Sequence, residues 1–377
     1  MYFIGGAFSL FGAFMPPTSD AYRYRQTYLA TSSFSLDFSH LYTTTDNKDF
    51  LYPLLSFIFN GTGATFELFK LAILTCCYSL YVWMFIDIVK HSPILQKRWD
   101  LQAIAIACTF FSIRLFTLVA GIRFGFASTI IIIGIYLISS QRYKAGVCIV
   151  ILSMAMHFSM LLIIPFILVG YTLKKQPLNG KAILFVLLVL ILFSNSAIGS
   201  ILSVLFPSND LVQGKTSAYI DGQWGTEAMA NSMSLGGLIF TLVRIIPVIP
   251  LGIFAINTQA TSFLRITGLL LVGLLCICFS SFTLLLRYSN VTIAILFIWL
   301  LTTATPTKRY KNRLRIALYS FLIMFGCYAY TQRHVFKTTS LQYVAIMCPS
   351  FLIIDNTYSD SWINQHIGWD GELKSIK

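Results

Sequence analysis

Runs of apolar residues follow one another along almost the whole chain, and no other feature restricts the fold as strongly. Hydrophobic residues make up 56% of the 377 residues, whereas charged residues make up only 11%. A soluble protein carries about 25% charged residues, because polar groups must cover its surface. The sequence therefore predicts an all-α, polytopic integral membrane protein, in which each crossing needs about 20 apolar residues.

Membrane segments are predicted wherever an apolar run approaches the thickness of the hydrocarbon layer. Two longer polar connections, at 18–65 and 207–233, separate some of them. No internal repeat or linker divides the chain, so we expect one domain over residues 1–377, with about 10 transmembrane helices. The predicted segments are 1–17, 66–89, 101–120, 123–139, 145–172, 181–206, 234–257, 262–284, 287–304, 315–332 and 338–355.

The distribution of basic residues raises a conflict about the segment at 145–172. Basic residues in short loops collect on the cytoplasmic side of a membrane. The loops at 142–144 and 174–181 are both basic, yet a single crossing between them would place them on opposite sides. The conflict disappears if 145–172 is a re-entrant broken helix pair that turns near His157. Such segments are tolerated where they line a cavity.

Several arginines lie at membrane depth, while no Asp or Glu lies near the middle of a predicted span. An ionisable group there costs about 2.5–3.5 kcal/mol and usually faces a cavity or a ligand path. Arg244 is predicted near the bilayer midplane, and Arg123 begins an apolar helix. Arg114 is predicted at the outer end of a helix, and Arg287 at the turn between two apolar helices. Both can instead extend to the headgroups, and His157 can be a hydrogen-bonded core residue.

The sign of these charges indicates the kind of ligand. A cationic pocket with apolar walls favours an anionic ligand that carries a lipid chain. The planar guanidinium group binds phosphate through two parallel hydrogen bonds, and several such groups together suit a diphosphate. The predicted topology brings these arginines, His157 and the residues after the first span to one outward-facing region. The sequence therefore predicts a site for a lipid-linked diphosphate.

Four short motifs, in chain order, carry a resemblance to a known family. They resemble the EpsG-like family of Wzy-type polymerases, which join repeat units in O-antigen and exopolysaccharide synthesis. One departure is visible, because Phe124 follows Arg123 where members often have an Ile-Arg-Gln sequence. The motifs are Asp20 and Tyr24 in SDAYRYRQTY, Ile122-Arg123, His157 and Ser159 in AMHFSMLLIIP, and Arg287-Tyr288 in LLLRYSNV.

The resemblance implies a glycosyltransferase in the bacterial inner membrane, with its active site facing the periplasm. It would join oligosaccharides linked to undecaprenyl diphosphate and release undecaprenyl diphosphate. His157 would be the general base, whose ordinary pKa near 6.5 suits proton transfer near neutral pH. The periplasmic loop 207–233 would contact sugars. The predicted catalytic residues are His157, Arg123 and Arg287, and the predicted substrate-binding residues are Asp20, Arg23, Tyr24, Arg114, Ser159, Arg244 and Tyr288.

Neither a cofactor nor a metal is expected, because the sequence contains no Asp-x-Asp motif and no His/Asp cluster of the kind that holds a divalent ion. Arginines would replace the metal on the diphosphate. The expected partners are the lipid-linked donor and acceptor and the membrane lipids, with a chain-length regulator left open. No motif for binding nucleic acid is present.

Two other classes of function remain open at this point. An O-antigen ligase-like transferase would use the same donor, arginines and base. A flippase or exporter of lipid-linked glycans would need basic residues along a path through the membrane. The predicted deep charges lie toward the outer leaflet and no two-fold repeat is evident, which favours a transferase.

Overall fold

The structure is a computed structural model that describes residues 1–31, 49–176, 179–192, 235–258, 261–338, 341–347, 357–369 and 371–374. Within these residues the fold is all-α, as the sequence predicts, and an isolated β-bridge joins Ile367 to Leu373. The predicted loop 207–233 lies outside the described residues.

The α-helices of the described residues are numbered here in chain order. The first nine are α1 (Tyr2–Ala13), α2 (Asp20–Ala30), α3 (Leu51–Gly61), α4 (Phe66–His91), α5 (Pro93–Lys97), α6 (Trp99–Ser112), α7 (Leu115–Ala120), α8 (Ile122–Ser139) and α9 (Tyr143–Met156). They are followed by α10 (Ile164–Leu173), α11 (Gly180–Leu192), α12 (Leu235–Ile245), α13 (Val248–Ile256), α14 (Phe263–Ile277), α15 (Phe282–Thr302), α16 (Lys308–Thr331), α17 (Arg333–Thr338), α18 (Leu341–Met347) and α19 (Asp360–His366).

Several of these helices are long and apolar enough to cross a membrane, so the chain is a multi-pass membrane protein. Among the described residues, five helices meet that condition by length and composition, or up to six if one bent pair counts as a span. The predicted number of about 10 spans is therefore not confirmed. The first predicted segment, 1–17, forms a helix of only 12 residues. The candidate spans are Phe66–His91, Trp99–Ala120, Ile122–Ser139, Thr283–Thr302 and Lys308–Thr331, and the bent pair is Ile239–Ile245 with Val248–Ile256.

The chain divides into two compact units. The first consists of Met1–Asp87, Ile113–Leu162 and Tyr328–Lys377, and the second consists of Ile88–Ser112 and Ile163–Cys327. Each unit is assembled from segments that are distant in sequence. The expectation of one domain over residues 1–377 stays a prediction.

In the first unit, α8 and α9 form a helical hairpin. Gln141 has a positive φ of 63°, and the Arg142 N–H donates to the Leu137 carbonyl at 2.9 Å. The Gln141 N–H donates to the Ile138 carbonyl at 3.1 Å. This pair of hydrogen bonds is the Schellman motif, which ends a helix and lets the chain reverse.

Two glycines let the helices of this hairpin approach closely. A Cβ on Gly146 would lie 2.9 Å from the Gly134 carbonyl oxygen, and a Cβ on Gly134 would lie 3.1 Å from the Gly146 carbonyl oxygen. Small residues at a helix interface allow this backbone approach, and van der Waals packing then supplies much of the attraction between helices in lipid. The close approach therefore fixes how α8 lies against α9.

The predicted break at His157 is observed. Helix α9 ends at Met156, His157 is extended at φ −155° and ψ 114°, and a 3₁₀ helix covers Phe158–Ile163. The Ser153 hydroxyl donates to the Val150 carbonyl at 2.7 Å in the last turn of α9, an interaction that loosens a helix. Whether the chain then returns to the side from which it came stays a prediction.

The second unit corrects the position of one predicted site residue. Arg287 was expected at the turn between two helices, but the turn lies earlier, where a 3₁₀ helix at Cys278–Ser280 is followed by extended Ser281. Serine side chains compete for backbone hydrogen bonds and so favour a break there. Arg287 consequently lies within α15 and is half-buried.

Exchanging Gly146 for alanine should destabilise the hairpin. The new methyl group would meet the Gly134 carbonyl, so the Gly146→Ala variant should lose about 1–3 kcal/mol of unfolding free energy. The measurement is thermal unfolding in detergent. Gly326→Ala is the control, because Gly326 is exposed on α16 with no atom within 4 Å of its added Cβ. Equal melting temperatures for the two variants would show that the hairpin does not depend on this approach.

Candidate active site

The Asp49 carboxylate joins the two residues that the sequence analysis singled out, Arg123 and His157. Arg123 Nη1 lies 3.2 Å from Asp49 Oδ2, and His157 Nδ1 lies 3.1 Å from the same oxygen. Asp49 Oδ1 also accepts the Phe158 N–H at 2.8 Å. One carboxylate thus holds a guanidinium group, an imidazole ring and the first backbone donor after the break in α9.

The hairpin explains why Arg123 and His157 meet. Arg123 lies sixteen positions before Ser139, where α8 ends, and His157 lies fourteen positions after Tyr143, where α9 begins. With a rise of 1.5 Å per residue, both lie about 21–24 Å from the turn. Because both residues lie at nearly the same distance from the turn, the hairpin places both side chains at the same end.

Asp49 comes from a part of the chain that precedes the hairpin by many residues. It lies just before α3, an apolar helix that packs against α2 and α9. Pro53 lies in the first turn of α3, where its missing N–H costs no intrahelical hydrogen bond. The carboxylate satisfies the Phe158 N–H, one of the donors left without an intrahelical partner at the start of the 3₁₀ helix.

Two tyrosine rings flank the Arg123 guanidinium group. Its Cζ lies 4.7 Å from the centre of the Tyr24 ring and 5.5 Å from that of Tyr52. The two rings also contact each other, with centroids 5.5 Å apart. A cation over the face of a tyrosine is attracted by the ring's quadrupole, by about 0.5–2 kcal/mol depending on burial. Arg123 is therefore held in one orientation by Asp49 and by aromatic stacking.

The site is largely shielded from solvent, and its charges compensate each other. The exposed fraction of the side chain is 7% for Asp49, 16% for Arg123 and 17% for His157. Burial alone would raise the pKa of Asp49, but the hydrogen bond from His157 and the attraction of His157 and Arg123 outweigh it. The pKa of Asp49 is therefore lowered from its ordinary value, and the group is an anion at neutral pH.

Helix α2 supplies three of the predicted substrate-binding residues. Tyr24 is in contact with Arg123, as described above. Asp20 and Arg23 lie one turn apart and form an ion pair at 3.8 Å on a partly exposed face. Of the three, the structure thus shows Tyr24 in direct contact with the Asp49, Arg123 and His157 cluster.

Arg114 and Ser159 also belong to the first unit. Arg114 is buried at the residue that immediately precedes α7, and its Nη1 lies 3.3 Å from the Tyr328 hydroxyl. Ser159 lies in the 3₁₀ helix, two positions after His157. Their predicted roles in binding substrate stay predictions.

The remaining predicted residues belong to the second unit. Arg244 lies in the last turn of α12, next to a 53° bend at Ile246 and Pro247. A cation at the end of a helix is favoured by the helix dipole, and Pro247 cannot continue the hydrogen bonding. Tyr288 is buried within α15, directly after Arg287. The predicted roles of these three residues stay predictions.

The sequence analysis missed Asp49 and Tyr52 as site residues. A signal for Asp49 was present: it is the carboxylate that immediately precedes the apolar stretch FLYPLLSFIF. Two buried basic groups on neighbouring helices also require a counter-ion, since an unpaired buried charge is costly. Within the described ranges, no three His, Cys, Asp or Glu side chains are grouped so that they could hold a metal ion.

Replacing Asp49 with asparagine should remove the counter-ion of Arg123 and the charged hydrogen-bond partner of His157. At neutral pH the Asp49→Asn variant should lose about 3–5 kcal/mol of unfolding free energy, the usual cost of removing one partner of a buried pair. Because the pKa of Asp49 is lowered in the folded state, its contribution is present above the ordinary carboxyl pKa and is lost as pH falls through the folded value. The difference in unfolding free energy between the variant and the wild-type protein should therefore shrink only below about pH 4.

The measurement for this variant is thermal unfolding in detergent across the pH range. Asp20→Asn makes the same change of charge at a partly exposed carboxylate and should alter stability by less than about 1 kcal/mol. If both variants behaved alike at neutral pH, Asp49 would not be the counter-ion described here.

Comparison with known proteins identifies the family. The family model described as the EpsG family matches residues 2–344, which is nearly the whole chain and includes Asp49, Arg123 and His157. No curated protein matches the chain, and no solved structure matches it. On the family match, the chain belongs to the EpsG family.

Proposed function

We propose that the protein is a repeat-unit polymerase that joins oligosaccharides linked to undecaprenyl diphosphate. Membership of the EpsG family indicates a glycosyltransferase-like polymerase of polysaccharide biosynthesis in a membrane. The finer assignment rests on one observation, the contact of both Arg123 and His157 with Asp49. That arrangement combines a general base and a diphosphate-binding group within one small site.

His157 is the proposed general base. With Nδ1 turned to Asp49, the ring is held in the tautomer that carries its lone pair on Nε2, as in catalytic triads. Nε2 accepts the proton of the acceptor hydroxyl as that oxygen bonds to the anomeric carbon of the donor sugar. The Asp49 carboxylate stabilises the imidazolium that forms.

Arg123 is the proposed ligand of the diphosphate. A guanidinium group carries five N–H donors, and the contact with Asp49 uses Nη1. As the bond between the anomeric carbon and the diphosphate oxygen breaks, its electron pair stays with the diphosphate. A fixed arginine stabilises that charge without reorganising, because Asp49 and the two tyrosines already hold it.

We further propose that this site faces the periplasm, in the inner membrane of a bacterium. At the opposite end of the hairpin, Arg142 pairs with Asp87 at 3.2 Å and Lys144 follows in the next helix. Basic residues of short loops favour the cytoplasmic side. A helix of 18 residues spans about 27 Å, which separates Arg142 from Arg123 by nearly the thickness of the hydrocarbon layer.

Replacing His157 with alanine should abolish polymerisation, since general-base catalysis contributes about 10²–10⁴-fold to a rate. The measurement is the glycan ladder on a gel from a knockout strain that expresses the variant. His334→Ala is the control, because His334 is exposed on α17. A single-repeat band with His157→Ala supports the proposal, and long chains at normal expression would contradict it.

The same gel separates the other two classes of function. A knockout strain that lacks polymer on the final acceptor but keeps normal lipid-linked chains would indicate a ligase. A strain without any surface glycan would indicate an exporter. Either result would overturn the assignment as a polymerase.

Exchanging Arg123 for lysine keeps the charge but removes the planar fork and the stacking surface. Polymerisation by the Arg123→Lys variant should fall by about 10²-fold, the usual cost of losing one fixed donor to a developing anion. Arg142→Lys is a matched control, because Arg142 lies at the turn of the same hairpin and pairs with a carboxylate at the same distance of 3.2 Å. Equal rates for the two variants, measured with lipid-linked repeats in membranes, would exclude Arg123 from the diphosphate site.

A further inference from the structure

A segment that lies beyond the family match packs against the start of helix α2. We call residues 357–369 and 371–374 the clasp; the matched residues end at 344. Arg25 Nη2, on α2, donates to the Tyr358 carbonyl and to Asp360 Oδ1, both at 2.9 Å. The Arg25 side chain is only 5% exposed, whereas that of Asp360 is 77% exposed. The clasp thus provides two hydrogen-bond acceptors for a guanidinium group that is shielded from solvent.

The clasp also holds the residue that precedes α2. The Ser19 N–H donates to the Gly371 carbonyl at 2.7 Å, and the Ser19 hydroxyl donates to Glu372 at 3.1 Å. Gly371 has φ of 86°, and a Cβ there would lie 2.8 Å from the Ser19 carbonyl oxygen. Ser19 itself has φ of 54°, which a residue with a side chain rarely adopts. Such a conformation persists only where neighbouring contacts enforce it.

Further contacts attach the clasp to the rest of the first unit. The Tyr358 hydroxyl donates to the Phe14 carbonyl at 2.6 Å, and the Thr357 hydroxyl donates to Glu67 at 2.6 Å. A small apolar cluster adds burial around these polar contacts. It consists of Tyr358, Ile363 and Ile367, with Tyr22, Leu341, Trp362 and Leu373 packed against it.

Helix α2 connects the clasp with the active site. Arg25, which binds the clasp, directly follows Tyr24, whose ring lies 4.7 Å from the Arg123 guanidinium carbon. Residues in a helix turn rigidly together, so a rotation that broke the Arg25 contacts would move the Tyr24 ring away from Arg123. The clasp therefore fixes both the starting point of α2 and its rotation.

We propose that Arg25 is a positioning residue for the active site, acting through the clasp. It holds α2 so that Tyr24 stays on the guanidinium face, and Arg123 is thereby kept in the orientation in which it binds the diphosphate of the lipid-linked substrate. This inference rests on the proposed function and deepens it. Neither Arg25 nor the clasp contacts the substrate in the proposed mechanism, and their effect on it passes through Tyr24 alone.

The first test measures binding of farnesyl diphosphate to the purified full-length protein, as a soluble polyprenyl diphosphate. Asp360→Ala removes an exposed acceptor of Arg25, and its Kd should rise about three- to tenfold, as expected for a weakened cation–π contact. Asp360→Glu should restore most of the affinity. Gln365→Ala is the control, an exposed position on the same helix α19. An unchanged Kd for Asp360→Ala overturns the inference.

The second test asks whether the effect passes through Tyr24. In a Tyr24→Leu background, Asp360→Ala should leave the Kd unchanged, because the contact that the clasp positions is already lost. Additive losses in the double variant would show that the clasp acts only on general stability, and they overturn the inference. The distribution of distances between spin labels at Gln26 and Thr62 should broaden in the Asp360→Ala variant. An unchanged distribution also overturns the inference.

Failure of the proposed function has a separate signature. If the wild-type protein bound farnesyl diphosphate with the dependence on Asp360 and Tyr24 described above but made no polymer, the polymerase assignment would fail and the positioning role would stand. If polymer were made normally by Asp360→Ala with an unchanged Kd, the positioning role would fail and the polymerase assignment would stand.

Discussion

The structure of the first unit depends on one buried negative charge. Asp49 brings together a guanidinium group from the start of α8 and, from the break after α9, an imidazole ring and the backbone N–H that follows it. Taking a lone carboxylate or a lone guanidinium out of water costs several kcal/mol, so neither would be stable here without the other. The contacts of Asp49 therefore explain why α3 packs where it does and why Arg123 can lie largely buried. They also explain why helical structure resumes directly after His157. A neutral residue at position 49 would leave all three groups without a common partner.

That charge cluster in turn requires a rigid hairpin. Arg123 and His157 lie at the open end of α8 and α9, about 21–24 Å from the turn that joins them. A small change in the angle between the helices would be amplified over this length and would separate the two side chains. The close approach of Gly134 and Gly146, near the turn, limits that angle, because the two backbones are almost in contact. The Schellman motif at Gln141 fixes the register of the same two helices. Two features that contain no charged atom thus control the geometry of the charged site.

The sequence predicted the fold class and part of the site, and its failures have physical reasons. Apolar composition predicted a helical membrane protein, because lipid permits few other structures. The conflict between basic loops predicted the break at His157, and the cost of a deep charge pointed to Arg123. Asp49 was missed because α3, with 11 residues, is too short to be recognised from its hydropathy as a membrane span. Arg287 was misplaced because an apolar run of two helices contains no charge at its turn, so the serines that form the break carried the only signal. Contacts between distant segments, such as Arg25 with Asp360, leave no periodic pattern in a single sequence.

In the proposed reaction, sharing one carboxylate between a base and a diphosphate ligand couples the two halves of the chemistry. Before proton transfer, Asp49 divides its negative charge between Arg123 and a neutral imidazole. As His157 takes the proton, the imidazolium becomes a far stronger partner, since it now carries a full positive charge next to the carboxylate. The carboxylate is then drawn toward His157 and its hold on Arg123 weakens. At that moment the leaving diphosphate gains negative charge, and Arg123 is the cation available to balance it. An arginine bound to a separate carboxylate would remain neutralised throughout, so the shared Asp49 makes Arg123 most effective when the glycosidic bond to the diphosphate breaks.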